Sequence, residues 1–463
     1  MRNKQIFLIS FIIYLCTISS VRAGEYHLLP EPQKFTPLGS SFVLGRTKLS
    51  TPVLRQEWEA FVVDRGGVID DKARASIEVK LVPSLEEVPL NADEAYRLVV
   101  NNGKVTVEAV TEHGVYWAMQ TLAQLQDVQK KKATFNGCSI VDWPAFRIRG
   151  FMQDVGRTYM SIEELKREIA VLSRFKINVF HWHLTENQSW RLQSKIFPML
   201  NDSVNTTRMP GKYYTLEEAK DLVAFCKAHN ILLIPEFDMP GHSEAFVRTF
   251  RHDMQSPEGM KILKLLVDEV CETFDVPYLH IGTDEVRFTN PKFVPEMVEY
   301  VRAKGKKVIS WNPGWHYKPG EIDMTHLWSY RGKAQKGIPA IDSKFHYLNH
   351  FDTFGDIIAL YNSRIYNGVG LKNGILTIYR LGCVLAVKEI GAEECWLKMR
   401  NDEQYLCFFY SLDGMHYKKL NYVINTESQN THAYNGFLSL RPGLFAAGKN
   451  FALFQNFVYR GLK

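Results

Sequence analysis

The sequence predicts an α/β chain: a (β/α)8 TIM barrel, with its eighth strand in question, preceded by a small α/β domain and followed by a short β-rich segment. Three observations carry this reading. Strand-like and helix-like stretches alternate on one spacing from Ile148 to Tyr347, as βα units on a parallel sheet do. Seven consecutive predicted strand ends carry polar or aromatic residues, and a barrel gathers such ends at one mouth. The third is the run His280-Ile281-Gly282-Thr283-Asp284-Glu285-Val286-Arg287-Phe288. Neighbouring side chains on a strand point to opposite faces. Two adjacent acids can share a site only if the strand ends or bends, which Gly282 permits.

The elements follow in order. Arg2 and Lys4 precede the apolar run Ile6 to Cys16, and Val21-Arg22-Ala23 offers a small-residue cleavage site. Residues 1–23 read as a secretory signal peptide, with an apolar run too short for a comfortable membrane span. Export to the periplasm or the exterior is expected. Leu15 before Cys16 is too bulky for lipoprotein processing, so no lipid anchor is expected.

Residues 24–144 read as the small α/β domain. Tyr96 to Val100 and Lys104 to Ala109 alternate around Asn101-Asn102-Gly103, a hairpin pattern. Val115, Ala118, Met119, Leu122 and Leu125 then share one helical face. No chemistry is visible in this part.

Residues 145–375 read as the barrel. Ile148 to Gln153 is its first strand. Ser161 with Glu164 forms a capping box before Leu165, Ile169, Leu172 and Phe175, and Thr215 with Glu218 does the same before Ala219, Leu222, Val223 and Cys226. Further strands are expected at Asn178–His183, Ile231–Pro235, Tyr278–Ile281, Lys307–Trp311, Thr325–Trp328 and Lys344–Tyr347. Their ends bring Asp154 and Arg157; His181, His183, Glu186 and Asn187; Glu236, Asp238 and His242; Asp284 and Glu285; then Trp311, Trp328 and Tyr347.

Composition bounds the function. A chain of 463 residues with 46% hydrophobic residues can build sizeable cores. A net charge of +6 without a long basic block gives no support for nucleic-acid binding. Aromatic residues make up 13% of the chain, a content that suits stacking against sugar rings. Of seven cysteines, six lie beyond Cys16, none in a metal-ligand spacing.

Four stretches together resemble glycoside hydrolase family 20, the β-N-acetylhexosaminidases. They are Arg149-Gly150-Phe151-Met152-Gln153-Asp154-Val155-Gly156-Arg157, Phe180-His181-Trp182-His183-Leu184-Thr185-Glu186-Asn187-Gln188, Pro235-Glu236-Phe237-Asp238-Met239-Pro240-Gly241-His242, and the Asp284-Glu285 run. The resemblance covers about Tyr26 to about Tyr366. It implies exo-acting, retaining removal of terminal N-acetylglucosamine or N-acetylgalactosamine through the substrate's own acetamido oxygen. It implies Glu285 as general acid and then base, and Asp284 as the partner of the acetamido N–H. Arg157 would bind ring hydroxyls, with Glu186 beside it. Trp311 and Trp328 would wall the acetamido pocket, Tyr347 would donate to its oxygen, and Asn349 stands close by. His242 would belong to the network that orients the carboxylates. No cofactor and no metal is implied; the expected partner is a glycan or glycoconjugate ending in N-acetylhexosamine.

Departures accompany the resemblance. Glu186-Asn187 stands where many relatives carry two aspartates, and Thr283 where glycine is more usual. The tryptophan–acid pair of the eighth strand is not found after Tyr366; Leu376 to Val387 is apolar enough to take that strand's place. Residues 376–463 read as a β-rich tail, with strands at Trp396–Arg400, Tyr405–Tyr410 and Phe451–Tyr459 and a turn at Ser411-Leu412-Asp413-Gly414. Phe409 to Gly414 and Arg441 to Ala446 resemble part of the β-sandwich of family 43 glycosidases. Two other readings stay open: a catalytically impaired sugar-binding remnant, and a metal-dependent amidohydrolase using His181 and His183, which share a strand face.

Overall fold

The computed structural model describes Tyr26, residues 28–344, 367–380, 383–402 and 405–425, and residues 453–455 and 458. The expected signal peptide, Tyr347 and Asn349 lie outside the described residues, as do Arg441 to Ala446 and most of Phe451 to Tyr459. The chain forms two compact units, divided near residue 341, with 327–333 joining the second.

The first unit begins with a seven-stranded sheet. Its strands are β1 (Lys34–Val43), β2 (Arg46–Ser50), β3 (Val68–Ile69), β4 (Ala75–Leu81), β5 (Tyr96–Asn101), β6 (Lys104–Ala109) and β7 (Thr134–Asp142), in the order β1-β7-β5-β6-β4-β2-β3. The expected hairpin is present: β5 and β6 pair antiparallel, closing on Asn101 and Lys104. Helices α1 (Arg55–Val63) and α2 (Glu112–Gln124) complete the domain. The Thr111 side chain caps α2 by accepting from the His113 N–H. Val115, Ala118, Met119 and Leu122 are buried, as the helical spacing predicts. Together with Leu125 they join a core with Leu98, Val100, Val105 and Val107.

Beyond it, strand and helix alternate. The strands are β8 (Gly150–Asp154), β9 (Val179–His183), β10 (Leu232–Glu236), β11 (Tyr278–His280), β12 (Lys307–Asn312), β13 (Met324–Leu327) and β14 (Ala340–Asp342), neighbours in that order. Helices α3 (Ile162–Arg174), α4 (Leu216–Ala228), α5 (Glu244–Phe250), α6 (Pro257–Thr273) and α7 (Phe293–Ala303) intervene. Both expected capping boxes form, at Ser161/Glu164 and Thr215/Glu218. Leu165 and Ile169 are fully buried, and so are Ala219, Leu222 and Cys226. Phe175, at the end of α3, is 45% exposed and lies off the expected face. The helices pack onto the outer side of the sheet through one extended apolar core. This is the architecture of a (β/α)8 barrel, with seven of its strands among the described residues.

Two strand placements differ from expectation. A seventh strand lies at Ala340–Asp342; of the expected Lys344–Tyr347 only Lys344 is described, in a turn, and 345–347 lie outside the described residues. Leu376 to Val387 does not supply a parallel eighth strand. In the second unit, β15 (Asn367–Lys372), β16 (Ile375–Arg380) and β17 (Cys383–Glu389) form an antiparallel sheet, with β16 paired to both neighbours. Leu376 and Ile378 are buried while Ile375, Val384 and Val387 are exposed, the one-sided pattern of an antiparallel sheet rather than of a strand covered on both faces. β18 (Trp396–Asp402), β19 (Tyr405–Ser411) and β20 (Lys418–Asn425) form a second antiparallel sheet, and the two share a small core around Phe408. The expected turn follows β19: Asp413 accepts from Ser411 Oγ at 2.8 Å, and Gly414 has φ +75°.

Candidate active site

The register of the parallel strands builds the site. Asp154 lies opposite His183, His183 opposite Glu236, Glu236 opposite His280, and His280 opposite Ile309. Side chains that are directly paired across neighbouring strands share a face, so four polar residues far apart in sequence form one row. Glu236 is its centre and has no exposed surface. One of its oxygens stands 2.7 Å from His181 Nε2 and 2.7 Å from His183 Nδ1. The other accepts the Trp311 indole N–H at 2.6 Å and lies 3.3 Å from His280 Nδ1.

The charges of this row are unequal. Burial disfavours the Glu236 carboxylate, but His183, His280 and His181 outweigh it and hold Glu236 well below the usual range. Burial also works against charge on His183, yet Glu236 and Asp154 lift its pKa to about 9. Burial pushes His280 down to about 4, and its Nδ1 accepts the Gly282 N–H at 3.2 Å. His326, buried beside His181 and His280, is held well below its ordinary value. The centre therefore combines the Glu236 anion and the His183 imidazolium with neutral imidazoles at His280 and His326.

A second layer lies toward the strand ends. Arg157 donates to Asp154 at 2.5 Å and pairs with Glu186. Burial opposes the guanidinium charge, and these two carboxylates more than restore it. Glu186 also meets His242 Nδ1 at 2.5 Å. The other ring nitrogen of His242 lies 3.4 Å from Glu285 and 3.9 Å from Asp284. The adjacent acids thus reach one nitrogen although a regular strand would part them. β11 stops at His280, and Gly282, Thr283 and Glu285 all adopt positive φ, at +66°, +85° and +47°. Gly282 has no alternative here: a Cβ on it would lie 1.7 Å from Asp238 Oδ1. Asp238 anchors the turn by accepting the Thr283 N–H at 3.2 Å. Burial, Asp284 and Glu236 push the Asp238 carboxyl well above its ordinary range. Burial raises Asp284 to about 6, with His242 opposing and Glu236 reinforcing the rise. Glu285 leaves 53% of its side chain exposed, against 12% for Asp284.

Of the residues expected at the site, the structure brings together Arg157, Glu186, His242, Asp284, Glu285 and Trp311. Trp328, half-buried, follows β13 and falls in the second compact unit. Tyr347 and Asn349 lie outside the described residues. Sequence reasoning gave no role to Glu236, His280 or His326. A signal was present: histidines near the ends of β9, β11 and β13 and an acid ending β10 form a set that only an inward-facing cluster accommodates.

Two groups carry donor types that a divalent ion takes. His181, Glu236 and His280 present ligand atoms within 4.8 Å of one another, as do Asp238, His242 and Asp284. In the first group the indole of Trp311 and the N–H of Gly282 already engage Glu236 and His280. Its geometry is accounted for by hydrogen bonds and charge pairing.

Fold and site define a barrel protein with a paired-carboxylate centre at its strand ends. Residues 25–143 match the model of glycosyl hydrolase family 20, domain 2, and residues 146–255 that of the glycosyl hydrolase family 20 catalytic domain. A beta-hexosaminidase of Porphyromonas gingivalis is 32% identical over 57% of this chain and 40% of its own length. A beta-hexosaminidase of Vibrio furnissii is 30% identical over 65% of this chain and 59% of its own. The crystal structure of beta-N-acetylhexosaminidase from Bacteroides fragilis superposes with a TM-score of 0.60 at 25% identity, over 70% of this chain and 76% of that one. These matches support membership of glycosyl hydrolase family 20. The chain spans only about half the length of the two curated relatives, and the match to the catalytic-domain model ends at residue 255, before Asp284.

Proposed function

We propose that the protein is an exo-acting β-N-acetylhexosaminidase that removes terminal N-acetylglucosamine or N-acetylgalactosamine with retention. The observation that carries this reading is the convergence of Asp284 and Glu285 on one nitrogen of His242. It places a buried carboxylate beside an accessible one, as a division of labour between charge stabilisation and proton transfer requires. Glu285, the exposed member, protonates the departing glycosidic oxygen as the substrate's acetamido oxygen attacks C1 and the C1–O bond breaks. It then takes a proton from the water that opens the cyclic intermediate. Asp284 accepts the acetamido N–H and offsets the positive charge that develops on the oxazolinium ring. Arg157, preorganised by Asp154 and Glu186, presents its remaining donors to ring hydroxyls. Trp311 walls the acetamido pocket, and Trp328, Tyr347 and Asn349 are assigned to the same pocket by the sequence motif alone. The substrate is a glycan or glycoconjugate with a terminal N-acetylhexosamine.

The deciding experiment compares 4-nitrophenyl N-acetyl-β-glucosaminide with the plain β-glucoside. Hydrolysis of the first and none of the second is the expected result, with strong inhibition by a thiazoline analogue of the cyclised intermediate. Equal rates on both glycosides would exclude the substrate-assisted route. Export, read from residues 1–23, is proposed on the sequence pattern, and N-terminal sequencing of protein recovered from outside the cytoplasm should begin at Gly24. The tail is read as part of a family 43 type β-sandwich, a reading supported by its two antiparallel sheets around a shared core.

A further inference from the structure

Glu236 is an acid of the barrel with no exposed surface, and the reaction above gives it no step. Its environment is nonetheless built with care. Three imidazoles surround it, and it accepts a hydrogen bond from Trp311 Nε1, a residue of the proposed substrate pocket, at 2.6 Å. A hydrogen bond to an ionised acceptor is about twice as strong as a neutral one, and this one fixes a ring that is 6% exposed. The same indole is held from its sides: its ring centroid lies 4.2 Å from that of His326 and 4.5 Å from that of His280. Its backbone N–H donates to the Gly282 carbonyl at 2.8 Å, so the tryptophan is also tied to the turn that carries Asp284.

We propose that Glu236 is a positioning residue: through its hydrogen bond to Trp311 it fixes the wall of the acetamido pocket and so sets which N-acyl groups the site accepts. This rests on the reading of Trp311 as that wall. The carboxylate does not touch the sugar. It acts by denying the indole the tilt that a longer acyl chain requires. A purely hydrophobic clamp would leave the ring able to pivot in its plane, whereas a charged acceptor on the indole nitrogen removes that freedom. The histidines around Glu236 have a corresponding part, since an anion with no exposed surface persists only when paired. His183 supplies the opposing charge, which keeps the acceptor ionised and the ring held.

The test is the selectivity for acyl length, measured as the ratio of kcat/KM for 4-nitrophenyl glucosaminides carrying N-acetyl and N-butanoyl groups. A pocket shaped to one methyl group discriminates by about 10–200-fold per added methylene. In Glu236→Gln and in Trp311→Phe that ratio should fall at least about 5-fold, mainly through better acceptance of the longer chain. A residue that merely supports the fold would lower both rates together and leave the ratio alone. Because Glu236 acts through Trp311, the double variant should lose no more selectivity than the more affected single one. An unchanged ratio in Glu236→Gln, or additive losses in the double variant, overturns the proposal. If Glu236→Gln shows no cooperative unfolding transition, Trp311→Phe decides alone, and an unchanged ratio there overturns it equally. The unmodified protein separates the two levels of inference. If it neither cleaves the N-acetyl substrate nor binds the thiazoline analogue in calorimetry, the reaction itself is misassigned and this inference falls with it. If it is active and only the ratios fail, the positioning role alone is lost.

Discussion

The Nδ1 atom of His242 lies 2.5 Å from a carboxylate oxygen of Glu186, and that contact sets the protonation of an imidazole whose other face meets both proposed catalytic acids. Burial works against charge on His242, while Glu186 and then Asp284 raise its pKa above the ordinary value. Glu186→Gln removes the larger of these supports, so the His242 pKa should fall toward its ordinary value. The sign for stability follows. A histidine with a raised folded pKa stabilises below its unfolded value and loses that contribution as pH rises through the folded one. The variant should therefore lose most stability below about pH 6.5, the ordinary histidine value. NMR titration of labelled histidine checks the shift, and an unmoved His242 resonance would contradict it.

Glu285 is the proposed proton donor, and its half-exposed side chain leaves a water path for the second step. Glu285→Gln should slow hydrolysis of substrates with poor leaving groups by about 10²–10⁴-fold. Activated aryl leaving groups need little protonation, so their C1–O cleavage should suffer less. Rates across a series of leaving-group pKa values check this. Equal losses along the series would argue against the acid role.

Asp284 gives a pH signature with a defined sign. Its pKa is raised from the usual carboxylate value to about 6, by burial first. The folded protein thus holds this proton more tightly than the unfolded chain, and stability is lost as pH rises from about 4 through 6. At roughly 1.4 kcal/mol per pKa unit the loss is on the order of 3 kcal/mol. Asp284→Asn should therefore raise Tm near pH 7.5 and leave it nearly unchanged near pH 4, while abolishing activity. In the unmodified protein, kcat/KM should rise with pH along an acid limb near 6. A Tm difference independent of pH would refute the assignment.

How much of this was legible in the sequence depends on the range of the rule involved. The capping boxes at Ser161 and Thr215 and the hairpin at Asn101 obey rules that span a few residues, and all stand where they were expected. The acid pair at 284–285 was legible for the same reason, because a glycine before adjacent carboxylates is a local signal. Glu236 was not. Its role arises from the register of β9, β10 and β11, which aligns His183, Glu236 and His280, and register between parallel strands is set by packing far along the chain. The exchange of Leu376–Val387 from barrel strand to antiparallel hairpin has a visible cause in retrospect. Buried Leu376 and Ile378 alternate with less buried Ile375 and Thr377, and Gly382 interrupts the run. Both features suit a strand buried on one face.

The last prediction concerns the turn that lets two neighbouring acids share a site. Gly282 and Thr283 both have positive φ, at +66° and +85°, but their tolerance should differ sharply. A Cβ on Gly282 would lie 1.7 Å from Asp238 Oδ1 and 2.9 Å from Asp238 Cα. Rotating the Asp238 side chain could relieve the first contact but not the second, so the backbone would have to move. That movement breaks the Thr283 N–H bond to Asp238 and draws Asp284 away from His242. Gly282→Ala should therefore cost about 3 kcal/mol or more, the sum of a positive-φ penalty and a lost buried hydrogen bond. Activity should fall with it. Thr283→Gly runs the other way. It relieves a β-branched residue from a conformation costing about 1–3 kcal/mol, against roughly 0.5–1 kcal/mol of added chain entropy in the unfolded state. The Thr283 side chain is itself fully buried, so the cavity it leaves offsets part of this gain, and the variant should stay clearly more stable than Gly282→Ala. Denaturant unfolding of the two variants at one pH measures both. If Gly282→Ala is as stable as Thr283→Gly, the packing of the turn against Asp238 does not constrain the site.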